Sequence, residues 1–107
     1  MLPSLTSEAE IEALLAQPGP VWLFKHSNAC PISFAAHDEV AAWCAAHPQA
    51  AGGMIVIQER RPLSNWLATR LGRIHQSPQL FLVRGGQVAW MATHWGITAQ
   101  AMDAAWA

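Results

Sequence analysis

Cysteine is scarce in this 107-residue chain, which has two. Two thiols do not make a disulfide scaffold. The expected setting is a reducing cytoplasm, with any free thiol available for chemistry. Charge is scarce as well: 12% of residues are charged and the formal net charge is −1. That balance excludes a strongly basic nucleic-acid surface. No apolar run approaches the roughly 18–20 residues needed to cross a bilayer, so no membrane segment is expected. Met1-Leu2-Pro3-Ser4 sets no basic stretch before an apolar one, and no signal peptide is expected. Internal repeats, low-complexity tracts and charge blocks are lacking too. What is abundant is apolar side chain, at 52% of the chain, which excludes disorder. A chain this long buries roughly two-thirds of its unfolded surface, enough for one core. A single domain over residues 1–107 is therefore expected.

The pattern alternates short helices with short apolar runs. Ser7 is placed to cap a first helix, with Glu8 and Glu10 at its positive end and Ile11, Leu14 and Leu15 as its apolar face. Gln17-Pro18-Gly19-Pro20 stops it. Val21-Trp22-Leu23-Phe24 suits a buried strand, and His26-Ser27-Asn28-Ala29 follows as a loop. Cys30-Pro31 opens a second helix that runs to about His47, before Pro48, with Phe34, Val40, Trp43 and Cys44 on its buried side. Gly52-Gly53 leads into a second strand, Met54–Ile57. Arg60-Arg61-Pro62 reads as a loop, and a short third helix begins at Ser64-Asn65. Trp66, Leu67 and Leu71 are its apolar positions, and Gly72 closes it. Ser77-Pro78 precedes a third strand, Gln79–Val83; Gly85-Gly86 is a hairpin signal, and Gln87–Met91 is the fourth strand. Thr98 caps a last helix from about Ala99 to Trp106. The order α-β-α-β-α-β-β-α predicts an α/β protein with a mixed four-stranded sheet flanked by helices. A parallel crossover joins the first two strands and an antiparallel hairpin the last two. This is the element order of the thioredoxin fold.

Cys30 falls between a strand and the start of a helix. Unpaired N–H groups and about half a positive charge from the helix dipole favour thiolate over thiol there. Thiolate is the nucleophile of disulfide exchange. Pro31 fits the first helical position, where its missing N–H would have been unpaired anyway. Ser33 stands where a second cysteine would complete Cys-x-x-Cys. It reads either as an ordinary first-turn residue or as a hydrogen-bond donor to the Cys30 sulfur. Cys44 lies 14 residues further along the same helix. That is roughly 21 Å at 1.5 Å per residue, too far for a disulfide. Cys44 reads as core, and the protein as monothiol. In thioredoxin-like proteins a cis proline precedes the third core strand and faces the active cysteine. Pro78 occupies that place.

Four stretches resemble the monothiol bacilliredoxins of the bacillithiol system. They are Lys25-His26-Ser27-Asn28-Ala29-Cys30-Pro31-Ile32-Ser33, Gln58–Asn65, His75-Gln76-Ser77-Pro78-Gln79 and His94-Trp95-Gly96-Ile97-Thr98. The resemblance covers almost the whole chain. Ala29 departs from it, because a threonine usually precedes the cysteine, and a hydroxyl that could contact the sulfur is missing. The resemblance implies a thiol–disulfide oxidoreductase that removes bacillithiol from S-bacillithiolated client proteins through Cys30. Bacillithiol itself or a partner redoxin would regenerate the thiol. No metal or organic cofactor is implied, bacillithiol being a thiol co-substrate.

Other residues are candidates around Cys30. Arg60 and Arg61 follow the second strand and are expected on the sheet edge that carries Cys30. There they could grip the carboxylates of bacillithiol's malate moiety, or serve only as solvated charges or as partners of Glu59. His26, if protonated, would favour the thiolate; Asn28 is a polar neighbour in the same loop. Ser77, His94 and Trp95 are further ligand-binding candidates. Trp95 could wall the site or simply pack. The five histidines show no ligand-pair spacing, so no metal is expected. Two other functional classes stay open: a non-catalytic thioredoxin-like adaptor, and a sensor whose cysteine oxidises and changes partner binding.

Overall fold

A computed structural model describes residues 1–107. Its elements run α1 (Glu8–Leu15), β1 (Val21–His26), α2 (Pro31–Ala46), β2 (Ala51–Val56), α3 (Arg61–Leu71), β3 (Gln79–Arg84), β4 (Gln87–Thr93), a short 3-10 turn (His94–Gly96) and α4 (Ala99–Trp106). The strands form one sheet in the order β2-β1-β3-β4. β1 pairs parallel with β2 and antiparallel with β3, and β3 pairs antiparallel with β4. The expected α/β order and mixed sheet are both present. β1 is central, and all six of its residues are buried.

Alternation along β1 splits the core in two. Trp22 and Phe24 face α2 and α4, where Ala36, Val40, Trp43 and Met102 meet Leu80 and Leu82. Val21 and Leu23 face α1 and α3, where Ile11, Leu15, Leu63 and Leu67 meet Ile55 and Phe81. Trp22 is ringed by Trp43, Trp90 and Trp106 at centroid distances of 5.2, 6.0 and 5.9 Å. Three caps hold as the sequence indicates. Glu10 N–H donates to Ser7 Oγ, Ala101 N–H donates to Thr98 Oγ1, and Gly72 ends α3 at φ 67°. Gly85 and Gly86 both take positive φ in the β3–β4 turn, as a tight two-residue hairpin requires.

Several boundaries differ from the sequence reading. Phe34 is not on the buried side of α2 and is half exposed to solvent. The buried stripe is Ser33, Ala36, Val40 and Trp43, at spacings of three and four, and Phe34 lies one residue off it. Cys44 is only half-buried, packed against the edge of the core. α3 begins at Arg61 rather than Ser64, because Pro62 is tolerated in a helix's first turn; Arg60 is its N-cap. β2 starts at Ala51 and takes in both glycines. Ala51, Gly52 and Gly53 pair with Val21, Trp22 and Leu23 of β1, and the N-terminal segment crosses beside the strand. Leu5 N–H donates to Met54 O, and Met54 N–H donates to Pro3 O. A Cβ on Gly53 would sit 2.5 Å from Leu5, and one on Gly52 would sit 2.5 Å from the Trp22 carbonyl. Only glycine lets the chain pass on both faces.

Candidate active site around Cys30

Cys30 is the N-cap of α2, with extended backbone (φ −121°, ψ 121°), and is half-exposed. Pro31 follows in the first turn. Ser33 and Phe34 N–H both donate to the Cys30 carbonyl, at 3.0 and 3.2 Å. Pro31 has no N–H to give. This leaves the Ile32 N–H without a partner at the helix end that carries the cysteine. None of the four surface cavities has Cys30 in its lining, and the thiol is only partly buried.

The hydroxyl of Ser33 does not go to the sulfur. Ser33 is fully buried, and its Oγ lies 2.8 Å from His26 Nδ1 and accepts from Ser27 N–H at 2.9 Å. The side chain therefore ties the end of β1 to the first turn of α2. His26 is the last residue of β1 rather than a loop residue, and it is buried. Its ring lies 4.9 Å from that of His37 and 5.4 Å from that of Phe34. Burial, with the charge of His37 second, lowers its pKa from 6.5, against a smaller opposing pull from Ser33. His26 is thus a neutral imidazole at neutral pH, not the imidazolium considered from sequence.

The loop before Cys30 is held by a residue that the sequence reading did not single out. Gln58, just beyond β2, accepts Asn28 N–H on Oε1 at 3.0 Å and donates from Nε2 to Ser27 Oγ at 2.7 Å. Ser27 Oγ in turn accepts Ala29 N–H at 3.3 Å. Asn28 itself is exposed and contributes its backbone. The only signal for Gln58 was its place in one of the four family-like stretches. Ser27, two residues before Ala29, carried the signature of a side-chain turn.

The Ser77-Pro78 peptide bond is cis. The β1–β3 register pairs Lys25 with Gln79. One step further, Pro78 lies beside His26 at the end of the strand that leads into the cysteine loop. Pro78 O accepts His94 N–H at 3.1 Å, which ties this segment to the end of β4. His94 has φ 52°, the one non-glycine residue in the left-handed region. Trp95 is 70% exposed, so it does not pack in the core. It borders a groove of about 310 Å³ with Ala35, Ala36, Glu39, His94, Ile97 and Thr98, beside α2. Ser77 Oγ is buried without a hydrogen-bond partner.

The arginines lie elsewhere. Arg60 borders a cavity with Thr6, Ser7, Glu8, Glu59, Pro62 and Leu63, toward the start of α1. It donates to the Glu59 backbone carbonyl, at 3.4 Å, and not to a carboxylate. The Arg61 charge is the least of three causes, after burial and Lys25, that lower the His75 pKa. Gln58, not either arginine, is what reaches the Cys30 loop from this connection. At the far end of α2, burial raises the Cys44 pKa above 9.0. No cluster of three or more histidine, cysteine or acidic side chains is placed to hold a metal.

Comparison with known proteins gives the same reading of the fold. A solved protein with a thioredoxin fold, assigned provisionally as an oxidoreductase, superposes with TM-score 0.88 at 28% identity, over 96% of this chain and 91% of its own. The oxidised mitochondrial thioredoxin 3 of Saccharomyces cerevisiae matches with TM-score 0.74 at 14% identity, over 96% and 91%. Thioredoxin from Trypanosoma brucei brucei matches with TM-score 0.79 at 8% identity, over 97% and 89%. The profile of the monothiol bacilliredoxin BrxC family matches residues 3–102. A thioredoxin fold, one cysteine capping α2 and that match over nearly the whole chain place this protein in the monothiol bacilliredoxin family.

Proposed function

We propose that this protein removes bacillithiol from S-bacillithiolated client proteins by monothiol exchange at Cys30. One observation carries the reading: a half-exposed cysteine caps α2, and no second thiol is within reach of it. Ser33 fills the place of a resolving cysteine and is occupied with His26 and Ser27. The step is a displacement at sulfur. The Cys30 thiolate attacks the bacillithiol sulfur of the mixed disulfide, and a new S–S bond forms as the old one breaks. The client cysteine leaves as a thiolate and takes a proton from water. A second thiolate, from bacillithiol or a partner redoxin, then attacks the bacillithiol sulfur of the Cys30 adduct; it leaves joined to that bacillithiol as a disulfide, and Cys30 departs as the free thiolate. Both steps move electron pairs between sulfurs only, so neither a metal nor an organic cofactor is needed. The reducing thiol pool this requires fits a cytoplasmic setting. A partly exposed Cys30 that lines no enclosed cavity suits a protein-borne disulfide better than an enclosed small-molecule pocket would.

The test is mass spectrometry of both partners. Reduced protein is mixed with a bacillithiolated client, with Cys30→Ser as control. The expected result is transfer of the adduct mass to Cys30 with release of the client thiol, and no transfer in the variant. If no adduct reaches a Cys30 that a small alkylating reagent still modifies, the proposal fails and the adaptor reading gains.

A further inference from the structure

Lys25 is the one lysine of the chain, and it is fully buried within a strand. It shares the α3-facing side of the sheet with Val21 and Leu23. Its ammonium lies 3.0 Å from His75 Nδ1, and Ser64 Oγ of α3 lies 3.4 Å from the same nitrogen. Lys25's cross-strand partner, Gln79, is also fully buried. Gln79 Nε2 donates to Ile74 O at 3.1 Å, and Gln79 Oε1 accepts Gln76 N–H at 3.1 Å. Two buried polar side chains, paired across β1 and β3, thus reach the same exposed connection. That connection ends at Ser77-Pro78, next to the loop that carries Cys30.

We propose that Lys25 and His75 form a protonation-sensitive latch that positions the Ser77-Pro78 segment beside Cys30. The consequence for client exchange rests on the function proposed above; the latch itself does not. Lys25 offers only donors while charged, so His75 Nδ1 must accept and its proton sits on Nε2. A second proton, on Nδ1, removes the acceptor and sets two cations against each other. The charged groups that bear on the ring are Lys25 of β1 and Arg61 of α3, both cations. β2 offers Lys25 the apolar Ile55, and β3 offers it the neutral Gln79. The chain's two ion pairs, His47–Asp103 and Arg70–Glu12, involve none of these groups, so no carboxylate compensates. Burial, then Lys25 and Arg61, already push the His75 pKa below 6.5. His75 is exposed and can swing into water, whereas Lys25 cannot follow. Burial also pushes the Lys25 pKa down to about 8. A neutral amine still donates, so the latch opens on the acid side only.

The experiment is amide hydrogen exchange at Gln76, Ser77 and Gln79 at pH 7.5 and pH 5.5, corrected for intrinsic rates. In the native protein, protection is expected to fall about threefold or more at the lower pH. In His75→Gln, whose amide oxygen still accepts from Lys25 but does not titrate, protection is expected to stay constant. Native protection that does not change with pH, or an equal fall in His75→Gln, overturns the latch. A second readout compares exchange on a bacillithiolated peptide with iodoacetamide alkylation of Cys30, as a rate ratio across the same pH range. The ratio should fall with acid in the native protein and stay flat in His75→Gln. A flat native ratio overturns the latch's role in client binding. If the amides respond as expected but no peptide exchanges at any pH, the exchange reading fails and the latch stands.

Discussion

Ser33 stands one helical turn beyond Cys30, where a dithiol protein would carry its second sulfur. Its hydroxyl is enclosed, and it serves both His26 Nδ1 and the Ser27 N–H. Removing it leaves two buried polar groups without their partner, which costs about 1–3 kcal/mol. Ser33→Ala should therefore lower the urea midpoint even though it removes one oxygen and no apolar contact. A midpoint unchanged from that of the native protein would mean that His26 and Ser27 find another partner, such as water. The same geometry explains why Ser33 looked ambiguous in the sequence. A serine in a helix's first turn is ordinary, and nothing local tells whether its hydroxyl faces the sulfur or the strand beneath. The strand's last residue decides it, because His26 is on the face of β1 that α2 covers.

At the level of elements, β2 carries the clearest conflict between local preference and fold. Ala51-Gly52-Gly53 is a poor strand by propensity, and the sequence pattern starts the strand at Met54. The structure extends it over both glycines because Ala51, Gly52 and Gly53 pair with Val21, Trp22 and Leu23 of β1, while Leu2 and Leu5 of the N-terminal segment press on opposite faces there. The two positions should not respond equally to a methyl group. At Gly52 the new Cβ meets a backbone oxygen, which cannot move without disturbing β1. At Gly53 it meets the Leu5 side chain, which can shift. Gly52→Ala should cost about 2–3 kcal/mol and Gly53→Ala nearer 1–2, as overpacking of a filled core does. Denaturant melts of the two variants give the order directly, and the reverse order would show that β2 and not Leu5 yields. α3 makes a parallel point. Arg61 and Pro62 look like a loop because proline is a breaker, yet proline in a first turn is no obstacle.

The whole molecule sets three bases with lowered pKa values among few charges: Lys25 and His26 are buried, and His75 is exposed at the edge of Lys25. Lys25, His26 and His75 all have pKa values lowered in the fold, in each case first by burial. A base with a depressed folded pKa adds stability that is fully present above its unfolded value and is lost as pH falls through the folded one. Lys25 therefore gives up stability between pH 10.5 and about 8. The two histidines give up more below 6.5, and Glu10, lowered by its bonds to Thr6 and Ser7, acts in the same direction below 4.5. Cys44 works the other way, losing stability as pH rises above 9.0. The fold should thus be less stable at pH 5 than at pH 7.5. Urea midpoints at the two pH values check this, and a midpoint that rises toward acid would contradict it.

The order of elements, the caps at Ser7, Thr98 and Gly72, the glycine hairpin and the place of Cys30 before Pro31 were all determined by the sequence itself. Each depends on residues within a few positions of one another, where backbone geometry and apolar period suffice. What Gln58, His75, Arg60 and Arg61 touch was decided only by the tertiary structure. Gln58 is 31 residues from Ser27 and His75 is 50 from Lys25, so no local rule pairs them. The arginines were expected at the cysteine because the strand ends there, but Arg60 borders a cavity toward the start of α1, and neither arginine bonds to the Cys30 loop. Lys25 fell between the apolar run and the loop in the sequence and was not singled out. That its charge lies under α3 against a histidine follows only from the register of β1 with β3, which local sequence does not set.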